Sequence, residues 1–305
     1  MDISLDTAVA KALTDLYDAI ANESLTEEAY EIAGNVIEAV NAAEYSAWEW
    51  RWRCFVVLDA KAGAGQGKLV EMERSLMRRV ATASPKNYQL WNHRRKLAMY
   101  CAEDLGKEAA VVLADELEFT RACLEVDAKN YHAWGHRQAM LRALATAEDV
   151  GREFSFVTSM LERDVMNNSA WSQRAFLMEI LSLPSRAGNF VRTWDQEYEE
   201  TISWIEKWVE NEASWAYLEF VLRSTDGRQA RDGSYAAFLA RMLKANPTSV
   251  ETGAAALLHY KRLRDQEAVE AKREEWTGMM EMILKRLMAL DGGRRAHRFN
   301  ALMCM

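Results

Sequence analysis

The stretch PKNYQLWNHRR, residues 85–95, decides how the chain is read. Pro85 ends the helix before it, and Asn87 is suited to cap a new one. The arrangement returns as AKNYHAWGHR at residues 128–137. Weaker copies are AAEYSAWEWR at 42–51, MNNSAWSQR at 166–174 and ENEASWAYL at 210–218. Anchored on Trp48, Trp91, Trp134, Trp171 and Trp215, the copies are spaced by 43, 43, 37 and 44 residues. Self-similarity at that period is the signature of a helical repeat array, in which each hairpin buries its apolar face only against its neighbours.

The fold expected is therefore all-α: a right-handed α-α superhelix, a solenoid of antiparallel helical hairpins. A single domain over 1–305 is expected, with five clear repeats at about 26–225 and degenerate helices over 233–290. Half of the residues are apolar, and only three prolines and 14 glycines interrupt the helices. Apolar stripes predict helices at 6–22, 46–58, 69–83, 88–101, 113–126, 132–144, 154–165, 170–181, 193–209 and 214–223. A helix after Ser24 is predicted from a Ser24–Glu27 capping box, another from Thr248 and Glu251, and a closing helix over 267–290. Loops are expected at 60–67, 182–189 and 224–233, and fraying after Gly292.

Composition excludes several classes. A net charge of −8 argues against general affinity for nucleic acid. The basic clusters Arg78–Arg79, Arg94–Lys96 and Arg294–Arg298 read as solvated helix ends, with Arg94 set apart by its motif position. No apolar run approaches the roughly 20 residues of a membrane span. The first residues, MDISLDTAVAKAL, lack the basic start and apolar core of a signal peptide. Cys54, Cys101, Cys123 and Cys304 form no CxxC pair, so neither a disulfide framework nor a metal site is expected, and a reduced, cytoplasmic setting is.

The repeated columns separate scaffold from chemistry. Four residues before each tryptophan stand Glu44, Asn87, Asn130, Asn167 and Asn211, read as helix N-caps. Three residues after it stand Arg51, Arg94, Arg137 and Arg174, on the tryptophan's helix face. Stacking on a ring or pairing with an acid is their structural reading. The column three before reads Tyr45, Tyr88, Tyr131, Asn168 and Glu212, and lysine five before appears only as Lys86 and Lys129. Tyr45, Lys86, Tyr88, Gln89, Lys129, Tyr131 and His132 thus read either as ordinary loop polars or as a donor-rich edge for an oxyanion such as phosphate or carboxylate.

The strings NYQLWNHRR, KNYHAWGHRQ and NNSAWSQR resemble the repeats of protein prenyltransferase α-subunits. They are most similar to the α-subunit shared by protein farnesyltransferase and type I geranylgeranyltransferase, over roughly residues 26–225. REEWTGMMEMIL at 273–284 is similar to the family's closing segment. The resemblance implies a cytoplasmic heterodimer in which a crescent of hairpins wraps a β-subunit. That β-subunit carries the zinc and most of the isoprenoid pocket, magnesium accompanies the diphosphate in the farnesyl enzyme, and this chain binds no metal. The reaction joins a C15 or C20 isoprenoid, brought as its diphosphate, to the cysteine of a CaaX-ending protein. Carried over by position, Lys86 reaches the departing diphosphate, Tyr88 is the adjacent active-site tyrosine, and Tyr131 with His132 lies near the diphosphate. Gln89 binds the terminal carboxylate of the peptide, and Tyr45 lies beside the pocket for its last residue. Lys129, Asn130 and Arg94 are secondary candidates.

Glu44 departs from the asparagine usual in the first copy. The ending ALMCM places Cys304 second from the end, so the chain does not read as a CaaX substrate. Two other readings stay open: the α-subunit of Rab geranylgeranyltransferase, and a peptide-binding helical scaffold without catalysis.

Overall fold

A computed structural model describes residues 3–63, 67–182, 192–224 and 233–290, and no strand occurs among them. The helices are α1 (Ile3–Ala21), α2 (Glu27–Asn35), α3 (Tyr45–Ala62), α4 (Lys68–Ala83), α5 (Tyr88–Glu103), α6 (Ala109–Val126) and α7 (Tyr131–Leu144). They continue as α8 (Ala147–Arg163), α9 (Asn168–Leu181), α10 (Trp194–Lys207), α11 (Glu212–Ser224), α12 (Ser234–Ala245), α13 (Val250–Gln266) and α14 (Glu270–Leu290). The chain forms two compact units, Met1–Val150 and Gly151–Met305.

In the first unit, hairpins α2–α3, α4–α5 and α6–α7 follow one another, and α3, α5 and α7 pack side by side. The last turn of α2 widens into a π-turn over Val36–Val40. In the second unit α10 pairs with α11, α12 with α13, and α13 lies along α14. A Cβ at Gly253 would stand 2.6 Å from Leu287 Cδ2, so the missing side chain is what lets α13 and α14 approach. Tyr260 stacks on Trp276 across the same pair.

Several helix starts differ from the sequence expectation. The cap of α2 is Thr26, whose Oγ1 accepts from the Ala29 amide (3.2 Å); Ser24 instead offers its carbonyl to Trp50 Nε1. The cap of α13 is Ser249, not Thr248. In both places neighbouring hydroxyl residues compete, and the turn of the backbone selects one. α6 begins at Ala109 and α8 at Ala147, both earlier than their apolar stripes suggest. At α8, Thr146 Oγ1 accepts from the Asp149 amide (3.3 Å) while Asp149 Oδ2 accepts from the Thr146 amide (2.8 Å), a reciprocal cap. α14 begins at Glu270 rather than Glu267. α3 runs on through Ala62, shortening the expected loop at 60–67, of which 64–66 lie outside the described residues. Also outside them lie 183–189 and 225–232 of the other two loops, the tail after Gly292, the Arg294–Arg298 cluster and Cys304.

Candidate functional site

The five anchor tryptophans are buried, with exposures of 2 to 7%. Each indole N–H donates to the carbonyl six residues earlier: Trp48 to Ala42, Trp91 to Pro85, Trp134 to Ala128, Trp171 to Val165 and Trp215 to Val209. The asparagine column caps as expected. Asn87 Oδ1 accepts from the amides of Gln89 and Leu90, Asn130 Oδ1 from His132 and Ala133, and Asn167 Oδ1 from Ser169 and Ala170. Asn211 accepts from Ala213, and Glu44 fills the same role for Ser46.

The asparagine amides do a second job. Asn87 Nδ2 donates to Ala42 O (2.5 Å) and Asn130 Nδ2 to Pro85 O (3.2 Å), the carbonyls already held by the preceding copy's tryptophan. In the second unit, Asn211 Nδ2 reaches Val165 O (2.8 Å) in the same way. One loop is thereby tied to the next, which is why the first residues of α3, α5 and α7 line one edge.

The facing helices of the hairpins carry a column the sequence reading missed. Glu73, Glu116, Glu153 and Glu197 are all buried, on α4, α6, α8 and α10. Each takes a hydrogen bond from a side chain 20 residues on: His93 to Glu73 (2.5 Å), His136 to Glu116 (2.7 Å), Gln173 to Glu153 (3.0 Å) and Tyr217 to Glu197 (2.5 Å). The arginine column supplies the countercharge. Arg51 pairs with Glu73 (2.8 Å), Arg94 is bidentate on Glu116 (2.7 and 3.0 Å), and Arg174 pairs with Glu197. Arg94 also lies over the Phe119 ring at 3.4 Å, and Arg51 over Tyr30 at 3.7 Å. Burial opposes charge on Glu116, but the His136 hydrogen bond and the Arg94 guanidinium hold its carboxyl below the usual glutamate range. Burial pushes His136 below the usual histidine value, so a neutral ring donates Nε2–H to Glu116. These glutamates stand at a fixed offset before the anchors, so their period was readable in the sequence; they sit on the opposite helix of each hairpin, outside the motif.

The edge itself is exposed. Tyr45, Tyr88 and Tyr131 are the first residues of α3, α5 and α7 and are 60, 69 and 81% exposed. An N-terminal helical position directs the ring beyond the helix end, and the capping residue before it fixes that direction. His132 meets both neighbouring phenols edge-on, at ring-centre distances of 6.5 Å to Tyr88 and 5.7 Å to Tyr131. Lys86 is exposed in the loop before α5, its Nζ 3.7 Å from Asp127 Oδ2, a loose surface pair. Lys129 is likewise exposed, and Gln89 is half-buried with no side-chain hydrogen bond among the described residues.

Tyr88, Tyr131 and His132 line a cleft of about 180 Å³ with Asn92 and Arg95 of α5. Arg95 is exposed and makes no ion pair among the described residues. Tyr88, Asn92 and Arg95 are four and three residues apart, one helix face, the signal that could have singled them out. Two secondary candidates lie elsewhere: Arg94 and Asn130 are in the interior, 3 and 1% exposed, committed to Glu116 and to the α7 cap. Among the described residues no group of three or more His, Cys, Asp or Glu is placed to hold a metal ion, and no helix is long and apolar enough to cross a membrane.

A family model described as the protein prenyltransferase alpha subunit repeat matches residues 70–101, 113–144 and 150–181. These three stretches carry protein prenyltransferase alpha subunit repeats. Each matched prenyltransferase repeat spans one buried glutamate and one anchor tryptophan, so the paired columns are the repeat's own core. A solved structure described as Candida albicans protein geranylgeranyltransferase-I complexed with GGPP is similar with a TM-score of 0.75. It is 20% identical and covers 97% of this chain and 89% of that one, a likeness of fold. No curated protein matches the chain.

Proposed function

We propose that this chain is the α-subunit of a heterodimeric, cytoplasmic CaaX protein prenyltransferase. The observation that carries the reading is the exposed edge of the first unit, where phenols, an imidazole and two lysines stand together and the interior has no use for them. In this reading the edge faces a diphosphate held by a β-subunit. As the bond from C1 of the isoprenoid to oxygen breaks, charge builds on the departing diphosphate. The Lys86 ammonium and the O–H groups of Tyr88 and Tyr131 stabilise that charge more than the ground state, which is what lowers a barrier. His132, fixed between the two phenols, adds an N–H donor. Gln89 offers its amide N–H₂ to the carboxylate ending the peptide, beside Tyr45. Lys129 adds positive potential. Zinc, assigned to the β-subunit, would keep the substrate cysteine as a thiolate, and magnesium would accompany the diphosphate where the farnesyl enzyme needs it.

The test is co-expression with a candidate zinc-binding β-subunit, then single-turnover assays with farnesyl and geranylgeranyl diphosphate on a CaaX peptide. Copurification with transfer of one isoprenoid is expected. A chain that pairs with no such partner and supports no transfer would return the scaffold reading.

A further inference from the structure

A second cavity, of about 600 Å³, lies between α4 and α6, large enough for a small organic ligand. Ala81, Pro85, Ala122, Cys123 and Val126 give it apolar walls, and Val126 is 88% exposed. Arg94 also lines it. That side chain is 3% exposed, with Nε and Nη2 bound to Glu116, while its Nη1 has no hydrogen-bond partner. It is the one buried, unpartnered polar atom on this cavity among the described residues.

The charges around the cavity define what it would accept. Asp115 pairs with Arg74 (2.7 Å), Glu71 with Arg78, Glu118 with Arg121 (2.7 Å) and Asp127 with Lys86 (3.7 Å). Every lining carboxylate therefore has its cation, and Arg94 is already matched by Glu116. A ligand carboxylate would enter among four others with no cation left for it. A ligand cation would meet the N–H groups of Arg94. What remains is a single buried donor that needs an acceptor without charge.

We propose that this cavity binds a neutral amphiphile, placing a carbonyl oxygen of an amide, ester or ketone on Arg94 Nη1 and an apolar body along Ala81, Ala122 and Val126. The site is distinct from the tyrosine edge and does not depend on the transfer chemistry. The probe is 6-propionyl-2-(dimethylamino)naphthalene, a neutral ketone whose emission reports hydrogen bonding and polarity. Its comparator is 1-anilinonaphthalene-8-sulfonate, an anion of similar size. With the full chain, saturable blue-shifted binding of the ketone is expected, with the sulfonate weaker by about tenfold or more. Ala122→Trp, at an exposed helical position, should fill the space and abolish binding. Independently of any variant, the ketone should slow alkylation of Cys123 by N-ethylmaleimide, read on the Cys123 peptide by mass spectrometry. Absence of saturable binding, preference for the sulfonate, binding indifferent to Ala122→Trp, or unchanged Cys123 alkylation would each overturn the proposal.

Discussion

At the scale of single residues, neighbours in the motif have opposite fates. Lys86 and Tyr88 point to solvent, whereas Trp91 and Arg94 are buried, Arg94 against the wall of the α4–α6 cavity. The two kinds of position should fail differently. Lys86→Ala removes a loosely paired surface cation, so assembly and melting temperature should stay unchanged. The single-turnover rate should fall by about a hundredfold, on the order of 3 kcal/mol of transition-state stabilisation. An unaltered rate would take Lys86 out of the mechanism. Trp91→Ala empties a buried aromatic site and frees Pro85 O from one donor, so it should cost roughly 3–5 kcal/mol in urea unfolding. The contrast between exposed and buried positions was legible because each column repeats: tyrosine and lysine vanish after the third copy, while tryptophan persists through all five. Arg95 was harder to single out, since it belongs to no column and gains meaning only when α7 places Tyr131 and His132 beside it.

At the scale of helices, stability rests on carboxylates buried between hairpins. Glu116 joins α5 and α7 through Arg94 and His136. Glu116→Gln keeps the shape but leaves the Arg94 guanidinium without its countercharge, and should destabilise by about 3–5 kcal/mol. Replacing Arg94 and Glu116 together with methionine and leucine should recover most of that loss, since a buried pair gains little over good apolar packing. Urea unfolding of the single and double variants checks both statements; equal losses in the two would show that the pair is not the reason. Helix existence and capping asparagines were readable from local spacing. Helix starts were less so, because the apolar stripe of α8 begins well after Thr146 and Asp149 have turned the chain. The glutamate column joins different helices, and a reading that follows one helix at a time passes over it.

At the scale of the molecule, the buried ionisable groups set a pH response. His136 in the first unit and His259 in the second are held neutral by burial, below the ordinary value of 6.5. Their contribution is full above that value and declines as pH falls below it, because the unfolded chain takes up protons first. Glu73 and Glu116 are held below the ordinary 4.5, so a second, steeper loss should begin under that pH. Melting followed by circular dichroism should show a shallow decline from pH 7 to 5 and a sharper one beneath. A flat profile down to pH 4 would contradict it. The doubly used carbonyls of Ala42 and Pro85 make the periods interchangeable cassettes. Splicing out Lys86 through Ala128 would set Pro85 six residues ahead of Trp134 and hand Ala42 to Asn130. Ala42 O would keep an indole and an amide donor, Pro85 O would keep an indole donor, and Lys129 and Tyr131 would inherit the places of Lys86 and Tyr88. Such an array can shed or copy a whole period without inventing a new joint.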